Sequence, residues 1–186
     1  MADNVERPAF QTKLGECYIE LKRYDDAERS LREALNTKAD APMAHYDLGL
    51  VFESRGDATQ AIAEYEAEIA RNAKTYQAHF NLAKLLAAAG HRADALRHFQ
   101  QAVDANPEFG TGHLYLAKAS LDAGDLDGAE TAVRQGLALK HDASIAPLAH
   151  YVLADVYSRR GRARDAEREA AEGQRQEARL REKAER

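Results

Sequence analysis

The chain has 186 residues, 45% hydrophobic and 31% charged, so a packed core is within reach and disorder throughout is excluded. Its 26 Lys+Arg against 31 Asp+Glu leave a net charge of −5, which offers no general attraction to nucleic acid or anionic lipid. A single cysteine, Cys17, excludes an internal disulfide framework and a cysteine-based zinc site. The longest purely apolar run, 85–89, is too short to cross a bilayer, so no membrane partner is expected. The opening MADNVERP lacks a basic stretch followed by an apolar one, which predicts no signal peptide and, by default, a cytoplasmic protein. With 38 Ala against 16 Val, Ile and Thr together, the composition predicts an all-α chain.

In chain order, a short leader at 1–7 is followed by five related units. QTKLGECYIELKRYDDAERSLREAL (11–35) is echoed by HYDLGLVFESRGDATQAIAEYEAEI (45–69), HFNLAKLLAAAGHRADALRHFQQAV (79–103), HLYLAKASLDAGDLDGAETAVRQGL (113–137) and HYVLADVYSRRGRARDAEREAAEGQ (150–174). Leu14, Leu48, Leu82 and Leu116 are 34 residues apart, and Leu153 follows after 37. The units therefore run 8–41, 42–75, 76–109, 110–143 and 147–180, with three inserted residues, Ser144, Ile145 and Ala146. A charged helix end at 181–186 closes the chain.

Each unit reads as a helix pair. The first helix stops at Gly56, Gly90, Gly124 or Gly161, where a left-handed residue closes it without steric cost. Lys22 takes that place in the first unit, which predicts a turn of different construction. Asp57 and Asp125 stand where a carboxylate caps the second helix. Ala27, Ala61, Ala95, Ala129 and Ala166 then let the helices approach, and Leu31, Tyr65, Phe99, Val133 and Ala170 follow four residues on. The insertion lengthens the connection or the helix before Pro147, whose fixed ring suits a first helical turn. The last helix, about 162–186, carries eight basic and seven acidic residues with Leu180 as its only large aliphatic. It reads as a solvated terminal cap. No such cap precedes the first unit, which predicts a piece of a longer chain.

The 34-residue period, the Leu-Gly/Ala pair, the Gly turn, the Ala and the following large residue resemble tetratricopeptide repeats over 8–180. The resemblance implies a right-handed α-solenoid of five units whose first helices line a concave groove. It also shows departures. His45, His79, His113 and His150 stand where the pattern often has a bulky aromatic, and Pro107 is the one proline between repeats. Glu68 replaces a small residue, which predicts a loosened contact between repeats two and three. Repeats two to five are also similar to the repeat tails of bacterial hydrolase chains, sulfatase-like ones included.

No constellation for catalysis, cofactor or metal is found. The four equivalent histidines lie on helices spaced ~8–10 Å apart, too far to converge on one ion, and read as polar rings wedged between helices. His91 and His98, two turns apart, do not make a site either. Cys17 is expected to be a half-buried, inert thiol. Gly-Thr-Gly at 110–112 lacks the preceding strand and Lys-Ser/Thr ending of a phosphate loop. The chain is thus read as non-enzymatic.

The resemblance places the second, fifth, ninth, twelfth and thirteenth residues of each repeat on the groove. The fifth residues are Thr12, Tyr46, Phe80, Leu114 and Tyr151, and the ninth are Glu16, Leu50, Lys84, Lys118 and Asp155, with Asn81 and Tyr115 nearby. The ladder has two readings, ligand contact and inter-helix packing. A Lys/Asn/Asn/Lys/Arg clamp for chaperone tails would fall on Tyr46, Leu50, Asn81, Thr111 and Tyr115, of which only Asn81 fits. The expected function is an interaction module that holds a peptide or protein segment on Tyr46, Leu50, Phe80, Asn81, Lys84, Leu114, Tyr115, Lys118 and Tyr151. Its partner would carry apolar anchors and at least one acidic group, and self-association is a further use of the same surface. The alternative is a structural or regulatory arm of a larger bacterial protein, a hydrolase among them.

Overall fold

The computed structural model describes residues 3–184; residues 1–2 of the leader and 185–186 of the charged end lie outside them. Ten α-helices and one 3-10 turn make up the fold, and no strand occurs among the described residues. The chain divides into two compact units, 1–85 and 86–186.

In the first unit, α1 (Asp3–Glu20) pairs with α2 (Tyr24–Thr37), and α3 (Ala44–Ser54) with α4 (Ala58–Arg71). Most of α5 (Tyr76–Ala88) also belongs here. The helices pair because one side chain on the second fills a hollow left by glycine on the first. A β-carbon added at Gly15 would fall 2.6 Å from Leu31, and one at Gly49 would fall 2.3 Å from the Tyr65 ring. Leu31 and Tyr65 are fully buried as a result. Helix α3 also packs on α2 and α1, and its Leu48 and Val51 are wholly buried.

In the second unit, α6 (Arg92–Ala105) packs on α7 (Gly110–Asp122), α7 pairs with α8 (Leu126–Ala138), and α9 (Ala146–Arg159) with α10 (Ala163–Ala184). Here the hollows sit on the second helix. A β-carbon at Gly136 would meet Leu114 at 2.4 Å, and one at Gly173 would meet the Tyr151 ring at 2.9 Å. The Gly-Thr-Gly segment is also a matter of space, since a β-carbon on Gly110 would lie 2.5 Å from the Lys140 carbonyl oxygen. Ser144 and Ile145 of the insertion fall in the 3-10 turn Ala143–Ile145, capped by Asp142, while Ala146 opens α9 with Pro147 in its first turn. Asp57 and Asp125 accept from the backbone of Gln60 and Gly128 at 3.1 and 2.9 Å, which caps α4 and α8.

The first turn departs from expectation. Lys22 adopts φ 56°, the same left-handed conformation as Gly56 at 78° and Gly124 at 84°. Its hydrogen bonds are those of the glycine turns as well: Lys22 N–H donates to Ile19 and Arg23 N–H to Tyr18, as Gly56 does to Glu53 and Asp57 to Phe52. The turn is built in the same way with a residue that strains it, because two backbone bonds close the helix end whatever the side chain. Cys17 is exposed rather than half-buried. Lys22 is itself exposed, so removing its side chain loses no packing. Lys22→Gly should therefore raise stability by about 1 kcal/mol, read as a higher denaturant midpoint with an unchanged slope.

Candidate functional site

The nine residues nominated by the sequence separate into two groups. In the first unit, Tyr46 on α3 comes together with Asn81 on α5, which holds Lys84 beside Phe80, and Leu50 lies one turn beyond Tyr46 on α3. Asn81 Nδ2 donates to the Tyr46 hydroxyl at 3.4 Å and reaches the Tyr65 hydroxyl at 3.5 Å. The Tyr65 hydroxyl donates to Glu53 at 2.7 Å. Lys84 Nζ donates to Glu53 and to Asn81 Oδ1, each at 3.3 Å, and stands 5.6 Å from the centre of the Phe80 ring. Tyr46 and Tyr65 pack with ring centres 5.8 Å apart. Tyr46, Leu50, Phe80 and Lys84 remain half-buried, while Asn81 is buried beneath them.

In the second unit the ladder does not stay open. Leu114 is fully buried in the hollow at Gly136, so it is a core residue and offers nothing to a ligand. Tyr151 leans on Gly173 of α10. Burial, and Glu177 beside it, pushes its hydroxyl pKa up. The fifth and twenty-seventh residues of these repeats thus pack on each other, and the packing reading of the ladder holds at Leu114. Thr12 is buried too, its hydroxyl donating to the Pro8 carbonyl at 3.1 Å. Tyr115 lies against Phe99 with ring centres 5.7 Å apart.

Both lysines are paired within the chain. Lys84 is paired with Glu53, and Lys118 Nζ sits 2.5 and 2.6 Å from the two carboxylate oxygens of Asp122. The groove rule that nominates both lysines also covers their partners, since Glu53 is a twelfth residue and Asp122 a thirteenth.

A cleft of about 410 Å³ lies between α1 and α3, lined by Lys13, Glu16 and Glu20 with Tyr46, Asp47 and Leu50. Asp47, a sixth residue of its repeat, lies outside the groove positions. It is only 4% exposed, and its Oδ2 has no hydrogen-bond partner. Burial first, then the charges of Glu16 and Glu68, pushes its carboxyl up to about 7, against the pull of Lys13. Burial and the neighbouring Asp47 push the Tyr46 hydroxyl up to about 12. Glu68, expected to loosen the stack, is itself buried and accepts from the Thr75 hydroxyl at 3.2 Å.

The four equivalent histidines divide by the residue nineteen positions on. His45 and His150 have a carboxylate there and bond Glu64 at 2.6 Å and Glu169 at 2.9 Å through Nδ1. His79 and His113 have His98 and Ala132 there, and their Nε2 turns instead to the carbonyls of Ala73 and Pro107, at 3.1 and 2.9 Å. No cluster of His, Cys, Asp and Glu able to hold a metal ion occurs among the described residues. No helix there is long and apolar enough to cross a membrane.

Paired helices with recurring hollows and Gly turns define a helical-repeat protein of the kind that serves protein–protein interaction. Residues 12–77 and 80–140 match the tetratricopeptide repeat family, as do residues 147–172, and the chain belongs to that family. No curated protein matches the sequence. Among solved structures, it is similar to MamA residues 41–end from Desulfovibrio magneticus RS-1, at 16% identity and TM-score 0.74 over 93% of this chain and 96% of that one. It is likewise similar to YrrB, described as a TPR protein with an unusual peptide-binding site, at 16% identity and TM-score 0.75 over 88% and 82%. The thermophilic TPR protein TTC0263 of Thermus thermophilus shares 24% identity, with TM-score 0.61 over 91% of each chain. These likenesses carry the all-α repeat fold expected from the sequence, and the two named sources agree with its bacterial resemblance.

Asp47 makes stability depend on pH. A carboxyl whose folded pKa lies above its unfolded one holds a proton that the unfolded chain has already released, so stability falls as pH rises from about 4 to about 7. Asp47→Asn should remove that decline. Against the parent, it should gain on the order of 4 kcal/mol at about pH 8 and little at about pH 4, measured by urea unfolding at both.

Proposed function

We propose that the chain is a non-catalytic interaction module that holds a protein segment in the groove of its first unit. The observation that carries this reading is the face on which Asn81 links half-buried Tyr46 to Lys84 and Phe80, with Tyr46 and Leu50 also lining the cleft between α1 and α3. Their side chains are braced by Asn81, Tyr65 and Glu53, so the face is ordered before a ligand arrives and little entropy is lost on binding. Half-exposed rings supply apolar anchoring. An acidic group on the partner has no support here, because Lys84 and Lys118 are paired within the chain.

The second reading, an arm that docks on another domain, draws on α1. There Phe10 and Leu21 are 65% and 66% exposed, and the residues equivalent to Phe10 in later repeats, Ala44, Ala78 and Ala149, are fully buried. The two readings differ in which face binding protects.

A short peptide selected against the whole chain from a displayed random library provides the probe. Phe80→Ala should weaken its binding by about 2 kcal/mol, and Lys84→Ala by less, with the lysine effect shrinking as salt rises. Titration of both variants, with melting curves to show that each is folded, checks this. Unchanged binding by Phe80→Ala would overturn the groove reading and leave the face of α1 as the docking surface.

A further inference from the structure

Asp47 is a buried carboxylate with an unanswered oxygen, and such a group is costly unless a donor or a cation meets it. It forms part of the wall of the cleft between α1 and α3, where Glu16 and Glu20 stand on the facing helix. Lys13, the cation at that rim, is taken by Glu16, whose carboxylate oxygens lie 2.8 and 2.6 Å from its Nζ. The cleft is therefore short of positive charge. Ile19 and Leu50 line it as well and give it an apolar flank.

We infer that this cleft receives a lysine or arginine side chain of the bound segment, its stem along Ile19 and Leu50 and its charged head at Asp47. The inference rests on the groove reading and gives the partner a basic rather than an acidic signature. A long cationic side chain suits a cleft of this kind, because its methylenes cover apolar surface while its head seeks a carboxylate. A metal ion does not, since no cluster of three ligating side chains is present among the described residues.

The groups facing Asp47 set the pH behaviour. Glu16 on α1 and Glu68 on α4 raise its pKa, and Lys13 on α1 lowers it. An incoming cation adds the missing positive charge, so it binds the ionised carboxylate and displaces its proton. Affinity should rise with pH through about 7, where Asp47 titrates.

The experiment is selection of short peptides from a displayed random library on the whole chain at about pH 8, followed by titration of a synthetic winner. Enrichment of Lys or Arg, about tenfold weaker binding by Asp47→Asn and several-fold weaker binding at about pH 6 are the expected results. Lys13→Ala, which releases Glu16, should tighten binding. Replacing the enriched residue by glutamine in the peptide should match the loss from Asp47→Asn, with no further loss when both are changed. Selection of acidic or neutral peptides that bind Asp47→Asn as tightly as the parent overturns the inference and leaves the groove reading standing. If no peptide is selected, or if the winners ignore Phe80→Ala, the groove reading falls and the inference falls with it.

Discussion

The missing β-carbon of Gly49 is what allows α3 to lie against α4. The Tyr65 ring occupies the place that carbon would take, and the ring is fully buried there. Holding the ring fixes its hydroxyl on Glu53 and beside Asn81, and Glu53 and Asn81 together hold Lys84. The groove of the first unit is thus an outgrowth of one steric fit. Polar groups that are this closely interlinked must all be satisfied together, which orders the face as a whole.

Much of the fold can be read from the period because every unit must solve the same packing problem. The Gly turns, the Asp57 and Asp125 caps and the place of Pro147 follow from local backbone rules that tolerate few residue types. Lys22 escapes those rules for an instructive reason. The turn is held by two backbone hydrogen bonds, so a residue that dislikes positive φ is forced into it by the helices on either side.

The site is less legible, since a groove rule considers positions one column at a time. Leu114 belongs to the fifth-residue column, but Gly136 opens a hollow that draws it inward, a fact that needs both helices to be seen. The lysines look available in sequence because their carboxylates sit in other columns, Glu53 twelfth and Asp122 thirteenth. Asp47 shares the sixth position with Asn81 and Tyr115, so the signal is present, yet its burial and the charges facing it from α1 and α4 cannot be counted from spacing. The inference of a cationic ligand at Asp47 rests on that burial, which no column of positions displays.

A double-mutant cycle on Gly49 and Tyr65 addresses the steric fit directly. The chain supplies its own alternative pair, Ala117 with Val133 sixteen residues on, at the same two positions of the fourth repeat. Gly49→Ala alone should be destabilising by about 1–2 kcal/mol despite its better helix propensity, because the ring has no room to move. Tyr65→Val alone should also be destabilising, through the cavity it leaves. If the fit governs the unit, the double variant will be more stable than the sum of the two losses by at least about 1 kcal/mol. Strict additivity would contradict it.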